Sequence, residues 1–186
     1  VHSYTYFVTL TYSNPYLPKA YFIPNGKNYD LVDVDSGEVL CADMVLSDDY
    51  LHRLRCKLST DYLPYLNKYD LQLFLKRLRK YYGKVKLRFH AVGEYGPKHF
   101  RPHYHLLLWF EDETLKTDLP KIISEKWPFG RVDVQLAEGD AARYVSGYAN
   151  SFSFVPSVLK QASLSPFCVH SQRLGYAALT RMLPEV

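Results

Sequence analysis

Two strand-like runs joined by a short turn-forming segment constrain this chain more than any other feature. The first is Val85-Lys86-Leu87-Arg88-Phe89-His90-Ala91-Val92-Gly93-Glu94-Tyr95, and the second is Arg101-Pro102-His103-Tyr104-His105-Leu106-Leu107-Leu108-Trp109-Phe110. Between them, Gly96-Pro97-Lys98-His99-Phe100 has the composition of a basic turn. Side chains alternate along a strand, so His103 and His105 point to one face while Tyr104 and Leu106 point to the other. If the runs pair as a hairpin, Glu94 can lie opposite His103. Two imidazoles about 7 Å apart on one rigid face can share a divalent cation. With Glu94 as third ligand, coordination positions stay open for water or a phosphate oxygen. A chain with 7 His in 186 residues also meets a lone His-x-His by chance. On these residues alone, the solvated face of an ordinary hairpin is the competing reading.

A second constellation lies downstream. Asp140-Ala141-Ala142-Arg143-Tyr144-Val145-Ser146-Gly147-Tyr148-Ala149-Asn150 reads as a short helix, with Asp140 available as N-cap. Tyr144 and Tyr148, at i and i+4, fall on one helix face. In a chain with 17 Tyr, an isolated pair at this spacing is most simply two half-buried core residues. Beside a metal-bound phosphate the pair has another use, as two phenolic nucleophiles. A phenol with pKa about 10 is a poor nucleophile at neutral pH. A nearby cation favours the phenolate and polarises the phosphoryl oxygen under attack. That chemistry requires the two constellations to meet in space.

The rest of the sequence narrows the setting. The length suits one domain, residues 1–186, and no apolar run approaches the ~20 residues of a membrane-spanning helix. No signal-peptide pattern is apparent. Cys41, Cys56 and Cys168 are odd in number and far apart, matching neither a zinc spacing nor a disulfide framework, so a reducing cytosol is expected. The net charge of +4 is mild, but four of the cations sit on one predicted helix over 70–83. There Leu71, Phe74, Leu75, Leu78 and Tyr82 form the apolar stripe, Asp70 can cap the start and Gly83 the end. Lys76, Arg77, Arg79 and Lys80 then face water or a phosphate backbone. Lys98, His99 and Arg101 are the better phosphate candidates because they abut the proposed metal site.

Residues 4–12 read as a strand ended by Asn14-Pro15. A hairpin insertion is expected over about 20–42, with runs 29–34 and 38–42 flanking Asp35-Ser36-Gly37. The acidic pair Asp33 and Asp35 is explained by that turn more simply than by a metal. Residues 114–127 read as a helix and 131–136 as a strand, with a possible last helix over 172–183. This order suits an α+β fold with a single central antiparallel sheet of about five strands flanked by helices.

Taken together, these motifs resemble the HUH endonucleases, specifically the replication initiators of gokushovirus-type microviruses, tailless phages with single-stranded DNA. Phe7-Val8-Thr9-Leu10-Thr11-Tyr12 is similar to the family's first motif, a central strand that contacts DNA. Gly93-Glu94-Tyr95-Gly96 with Arg101-Pro102-His103-Tyr104-His105 is similar to its metal motif, and Arg143-Tyr144-Val145-Ser146-Gly147-Tyr148 to its two-tyrosine motif. The tail over 166–176 bears a fainter likeness to a Ser-, Arg-, Pro- and Gly-rich segment. The resemblance implies an RRM- or ferredoxin-like HUH fold in which Glu94, His103 and His105 hold Mg²⁺ or Mn²⁺. It implies Tyr144 and Tyr148 as nucleophiles, and Thr9, Thr11, Lys98, Arg101 and Arg143 as DNA contacts. The implied activity is sequence-specific nicking and joining of single-stranded DNA through a 5′-phosphotyrosine, starting rolling-circle replication in the cytoplasm of a bacterial host. No Walker-type loop is present, so a host helicase and polymerase are the expected partners.

One departure stands out: Ser151-Phe152 occupy the place, one turn after the second tyrosine, where the family usually has a lysine. Arg143 and Lys160 are the basic residues considered as substitutes, and the order in which the tyrosines act stays open. Two other readings compete: an HUH relaxase or transposase using the same site, and a non-catalytic single-stranded nucleic-acid binder with an RRM-like sheet. The chain begins at Val1 rather than Met, which suits a processed or truncated piece of a longer protein.

Overall fold

The computed structural model describes residues 4–83, 85–110, 118–137 and 155–172. In chain order these form β1 (Tyr4–Thr11), β2 (Lys19–Asn25), β3 (Asn28–Asp33), β4 (Val39–Met44), α1 (Asp48–Leu58), β5 (Leu63–Pro64) and α2 (Lys68–Tyr82). They continue with β6 (Leu87–Tyr95), β7 (Pro102–Phe110), α3 (Leu119–Lys126), β8 (Val132–Leu136), α4 (Ser157–Gln161) and β9 (Phe167–His170). The fold is α+β. Its main sheet has five strands in the order β8-β1-β7-β6-β9, and every neighbouring pair is antiparallel.

Alternation gives this sheet two unlike faces. Tyr6, Val8 and Leu10 of β1 and Tyr104, Leu106, Leu108 and Phe110 of β7 turn inward and are buried. Against them packs α2, whose buried residues are Leu71, Phe74, Leu75, Leu78 and Tyr82, as the sequence pattern predicts. Lys76, Arg77, Arg79 and Lys80 are exposed on its far side. Gly83 ends this helix at φ 58°. Asp70 does not start it: Asn67 is the cap, accepting from the Tyr69 amide, and Asp70 instead accepts a hydrogen bond from the Tyr12 hydroxyl at 2.7 Å. The start of the helix therefore lies three residues earlier than its apolar stripe suggests. From α3, Leu119, Ile122 and Ile123 close the same core, and Trp127 donates its indole N–H to the Thr11 carbonyl at 3.0 Å. The helix expected over 114–127 is seen as Leu119–Lys126, with 111–117 outside the described residues. The helix expected over 172–183 likewise falls almost wholly outside them.

A single sheet does not account for the chain. A second, four-stranded sheet runs β4-β3-β2-β5 and has its own buried cluster. Ala20, Phe22, Leu31 and Met44 from the strands meet Leu51, Leu54 and Leu58 of α1 and Val158 and Leu159 of α4. The hairpin around Asp35-Ser36-Gly37 is present as β3 and β4. Asp33 serves its turn, accepting from the Asp35 and Ser36 amides, the Ser36 hydroxyl and the buried Tyr65 hydroxyl. Those hydrogen bonds hold its carboxyl below the usual carboxylate range against the opposing effect of burial.

Gly130 sets how closely β8 can enter the sheet beside β1. A β-carbon there would strike the Thr11 carbonyl oxygen and lie 2.5 Å from the Ser13 nitrogen, both backbone atoms that cannot yield without moving the strand. The same stretch carries the bonds from Thr11 N to Arg131 O and from Ser13 N to Phe129 O, at 3.0 and 2.9 Å. Gly130→Ala is therefore expected to lower unfolding free energy by about 2–3 kcal/mol through overpacking. Chemical denaturation of the variant beside wild type measures this.

Candidate metal centre

The antiparallel register of β6 against β7 places Glu94 opposite His103 and Val92 opposite His105. On the other side, β1 places Thr11 beside His103 and Thr9 beside His105. All five polar residues thus share the sheet face that α2 leaves uncovered. Nε2 of His103 lies 2.7 Å and Nε2 of His105 lies 3.2 Å from the same carboxylate oxygen, Oε1 of Glu94. The ligand atoms of the three residues fall within 4.8 Å of one another, the only such cluster among the described residues. The arrangement can hold a metal ion.

The second nitrogen of each imidazole is also placed. His103 Nδ1 lies 3.2 Å from the Arg101 carbonyl, and His105 Nδ1 lies 3.1 Å from the Thr9 hydroxyl. An Nδ1–H donated to such an acceptor leaves the Nε2 lone pair for a cation, the usual way a protein fixes the tautomer of a ligating histidine. The alternative of a solvated hairpin face fails on burial: Glu94 is 7% and His105 is 8% exposed. That burial also corrects the expectation that neither imidazole packs in the interior. His105 stacks on Phe7 with ring centroids 5.4 Å apart and an interplanar angle of 12°. A carboxylate this buried is costly unless strongly partnered, and here two imidazoles supply the partners.

The opposite face of the same strands holds the ligands in register. Tyr104, between the two histidines in sequence, is fully buried and donates to the Asn67 carbonyl at 2.8 Å. Its hydroxyl also lies 2.9 Å from that of Tyr12, which donates to Asp70. Burial raises the pKa of both phenols and also lifts the Asp70 carboxyl above its usual range. Next to Glu94, Gly93 has no side chain because Phe167 and Leu66 stand 2.9 and 3.1 Å from where a β-carbon would be. Sequence reasoning missed this network. Its signal was the even-numbered phase of β1 and β7, in which Tyr12 and Tyr104 are the polar members of apolar rows.

Around the ligands, the predicted contact residues divide. Thr9 and Thr11 line a depression of about 560 Å³ with Arg131, Asp133 and Gln135 of the β8 edge. These last three were not anticipated as neighbours of the site, although their alternation in Arg131-Val132-Asp133-Val134-Gln135 marks one face. Arg101 has its guanidinium bound to protein, donating to Asn14 Oδ1 and the Tyr12 carbonyl, each at 2.8 Å. It fastens the β6–β7 loop to the end of β1. Lys98 and His99 on that loop are exposed. Tyr144, Tyr148 and Arg143 lie outside the described residues, as do Ser151 and Phe152.

A family model of phage-type replication-associated proteins, described by its ORF2 member, matches residues 57–152. That is just over half of the chain and includes the whole of the Glu94/His103/His105 cluster. The chain belongs to this family. It is similar to replication-associated protein ORF4 of Chlamydia phage 1, 37% identical over 100 residues that cover 43% of this chain and 25% of that protein. It is also similar to replication-associated protein VP4 of Bdellovibrio phage phiMH2K, 30% identical over 110 residues covering 50% of this chain and 34% of that one. The matches therefore span about a quarter to a third of these relatives' lengths. No solved structure matches the chain. Among the described residues, no helix is long and apolar enough to cross a membrane.

The hydroxyl of Thr9 touches a ligand rather than the ion, so its removal tests the geometry without deleting a ligand. Thr9→Val is expected to weaken Mn²⁺ binding about tenfold, the scale of losing such an outer partner. Calorimetric titration checks this, and unchanged affinity would mean that Thr9 does not orient His105.

Proposed function

We propose that this chain is a metal-dependent endonuclease and strand transferase that nicks and rejoins single-stranded DNA to start rolling-circle replication of a small phage. The observation that carries the proposal is the convergence of Glu94, His103 and His105 on one sheet face, in a replication-associated protein, beside the Thr9 and Thr11 strand. One carboxylate and two imidazoles, with room for further ligands, suit Mn²⁺ well and Mg²⁺ less well, since Mg²⁺ prefers oxygen. When bound, the ion would draw negative charge from a non-bridging phosphate oxygen.

The protein's own residues do the rest. Glu94, His103 and His105 hold the cation, and the Arg101 carbonyl and Thr9 hydroxyl fix the imidazoles. A phenolate oxygen of Tyr144 or Tyr148 forms a bond to phosphorus as the bond to the 3′ oxygen breaks. The departing oxygen takes a proton, leaving a 3′-hydroxyl to prime synthesis and a 5′-phosphotyrosine that stores the bond energy for rejoining. Two tyrosines at i and i+4 let one cut while the other still holds a DNA end. Thr9, Thr11, Lys98 and Arg143 are proposed DNA contacts, and Arg101 is proposed to act by shaping the loop. A host helicase and polymerase would complete the machinery in a bacterial cytoplasm. We take residues 1–186 as one endonuclease domain carrying the β2–β4 insertion.

The test uses a randomised pool of single-stranded oligonucleotides with Mn²⁺ or with EDTA. Wild type is expected to form a covalent DNA adduct with Mn²⁺ and none with EDTA. Phe substitution at either tyrosine should leave at least one variant able to form it, and Tyr144→Phe with Tyr148→Phe should abolish it while DNA binding persists. An adduct that survives in the double variant would place the nucleophile elsewhere. Tight binding without any adduct would favour a binding module.

A further inference from the structure

The sheet face that bears the candidate centre has a second group of metal-binding side chains, at its β9 edge. Strand β9 pairs antiparallel with β6, setting His90 opposite His170 and Val92 opposite Cys168. His90, His170 and Cys168 therefore project from one face, the two histidines directly across the ladder and the cysteine diagonal to His90. The Cys168 sulfur lies 3.7 and 3.8 Å from the two ring nitrogens of His90. Sulfur and nitrogen ligands on a tetrahedral Zn²⁺ stand about 3.5 Å apart, so this pair is already near ligating separation. The rings of His90 and His170 lie parallel within 9°, their centroids 6.5 Å apart.

His170 is oriented as a ligand would be. Its Nδ1 lies 3.1 Å from the Ser171 carbonyl, and an N–H donated there leaves Nε2 as the free base. Burial, and then the neighbouring His170, hold His90 below the ordinary imidazole range, so it too presents a neutral nitrogen. Cys168 and His170 are exposed, which gives an ion an entry path.

We propose that His90, Cys168 and His170 form a second cation site, selective for thiophilic divalent ions such as Zn²⁺, Co²⁺ or Cd²⁺, that pins edge strand β9 to β6. Binding turns the imidazoles toward the ion, releases the thiol proton and leaves a fourth position for water. A thiolate ligand sets its preference apart from that of the carboxylate-containing centre. His90 and Glu94 are four residues apart on β6, so the two sites lie about 13 Å from each other and do not share a ligand.

Spectroscopic titration with Co²⁺ tests this, because only a bound thiolate gives the intense near-ultraviolet charge-transfer band. Cys56 also has a histidine partner, His52 Nε2 at 3.7 Å on α1, so the parent protein carries Cys41→Ser and Cys56→Ser. The parent is expected to develop the band at one equivalent per chain. Cys168→Ser should abolish it, and His90→Ala or His170→Ala should each weaken Co²⁺ binding at least tenfold. A variant with Glu94→Gln, His103→Ala and His105→Ala should retain it. Absence of the band in the parent, or its persistence after Cys168→Ser, overturns the site. Indifference to both histidine substitutions reduces it to a lone thiol and equally overturns it. Because His170 is exposed, its substitution gives a reading even if His90→Ala perturbs the fold.

Discussion

The pairing register of β6 against β7 is the constraint on which the rest of this structure depends. With Glu94 opposite His103, one carboxylate oxygen meets two imidazole nitrogens, and Tyr104 enters the core from the other face. A slip of one residue would exchange the two faces, burying the histidines among leucines and exposing Tyr104 and Leu106. The register is protected from both ends. At one end Arg101 and the Gly96 N–H to Arg101 carbonyl bond close the connecting loop, and at the other the apolar rows of β6 and β7 meet α2.

Burial and function pull in opposite directions at this centre. Glu94 and His105 are nearly as sheltered as the leucines beside them, where an apolar trio would stabilise the fold with less desolvation. Groups that are costly to bury and that converge on one point are expected at sites kept for chemistry rather than for stability. The supporting residues agree with that reading. Thr9, Phe7 and the Arg101 carbonyl each touch an imidazole, and none of them is needed to fill the α2 core.

Much of this arrangement was legible in the sequence, because strand alternation and helix periodicity are local properties. The hairpin, the shared face of His103 and His105, and the Leu71-to-Tyr82 stripe all follow from them. What escaped depended on long-range pairing or on weak local signals. Strand β2 contains Pro24, and β9 is four residues long beside Pro166, so neither reads clearly as a strand. Helix α1 was readable, with Ser47 capping it and Leu51, Leu54 and Leu58 on one face, but it was overlooked beside the acidic hairpin. The cap of α2 was misplaced because Asp70 has a carboxylate suited to capping, yet Tyr12, 58 residues away, claims it. His105 was expected near solvent because nothing local reveals that Phe7 will cover it.

The central claim is that Glu94, His103 and His105 bind one divalent cation in common. The most direct measurement is a crystal structure of the Mn²⁺-soaked protein, phased to show anomalous scattering from manganese. One strong peak is expected on the sheet face, at roughly 2.0–2.3 Å from His103 Nε2, His105 Nε2 and a Glu94 carboxylate oxygen. A peak bound by other residues, or a well-ordered trio with no peak at saturating Mn²⁺, would contradict the account.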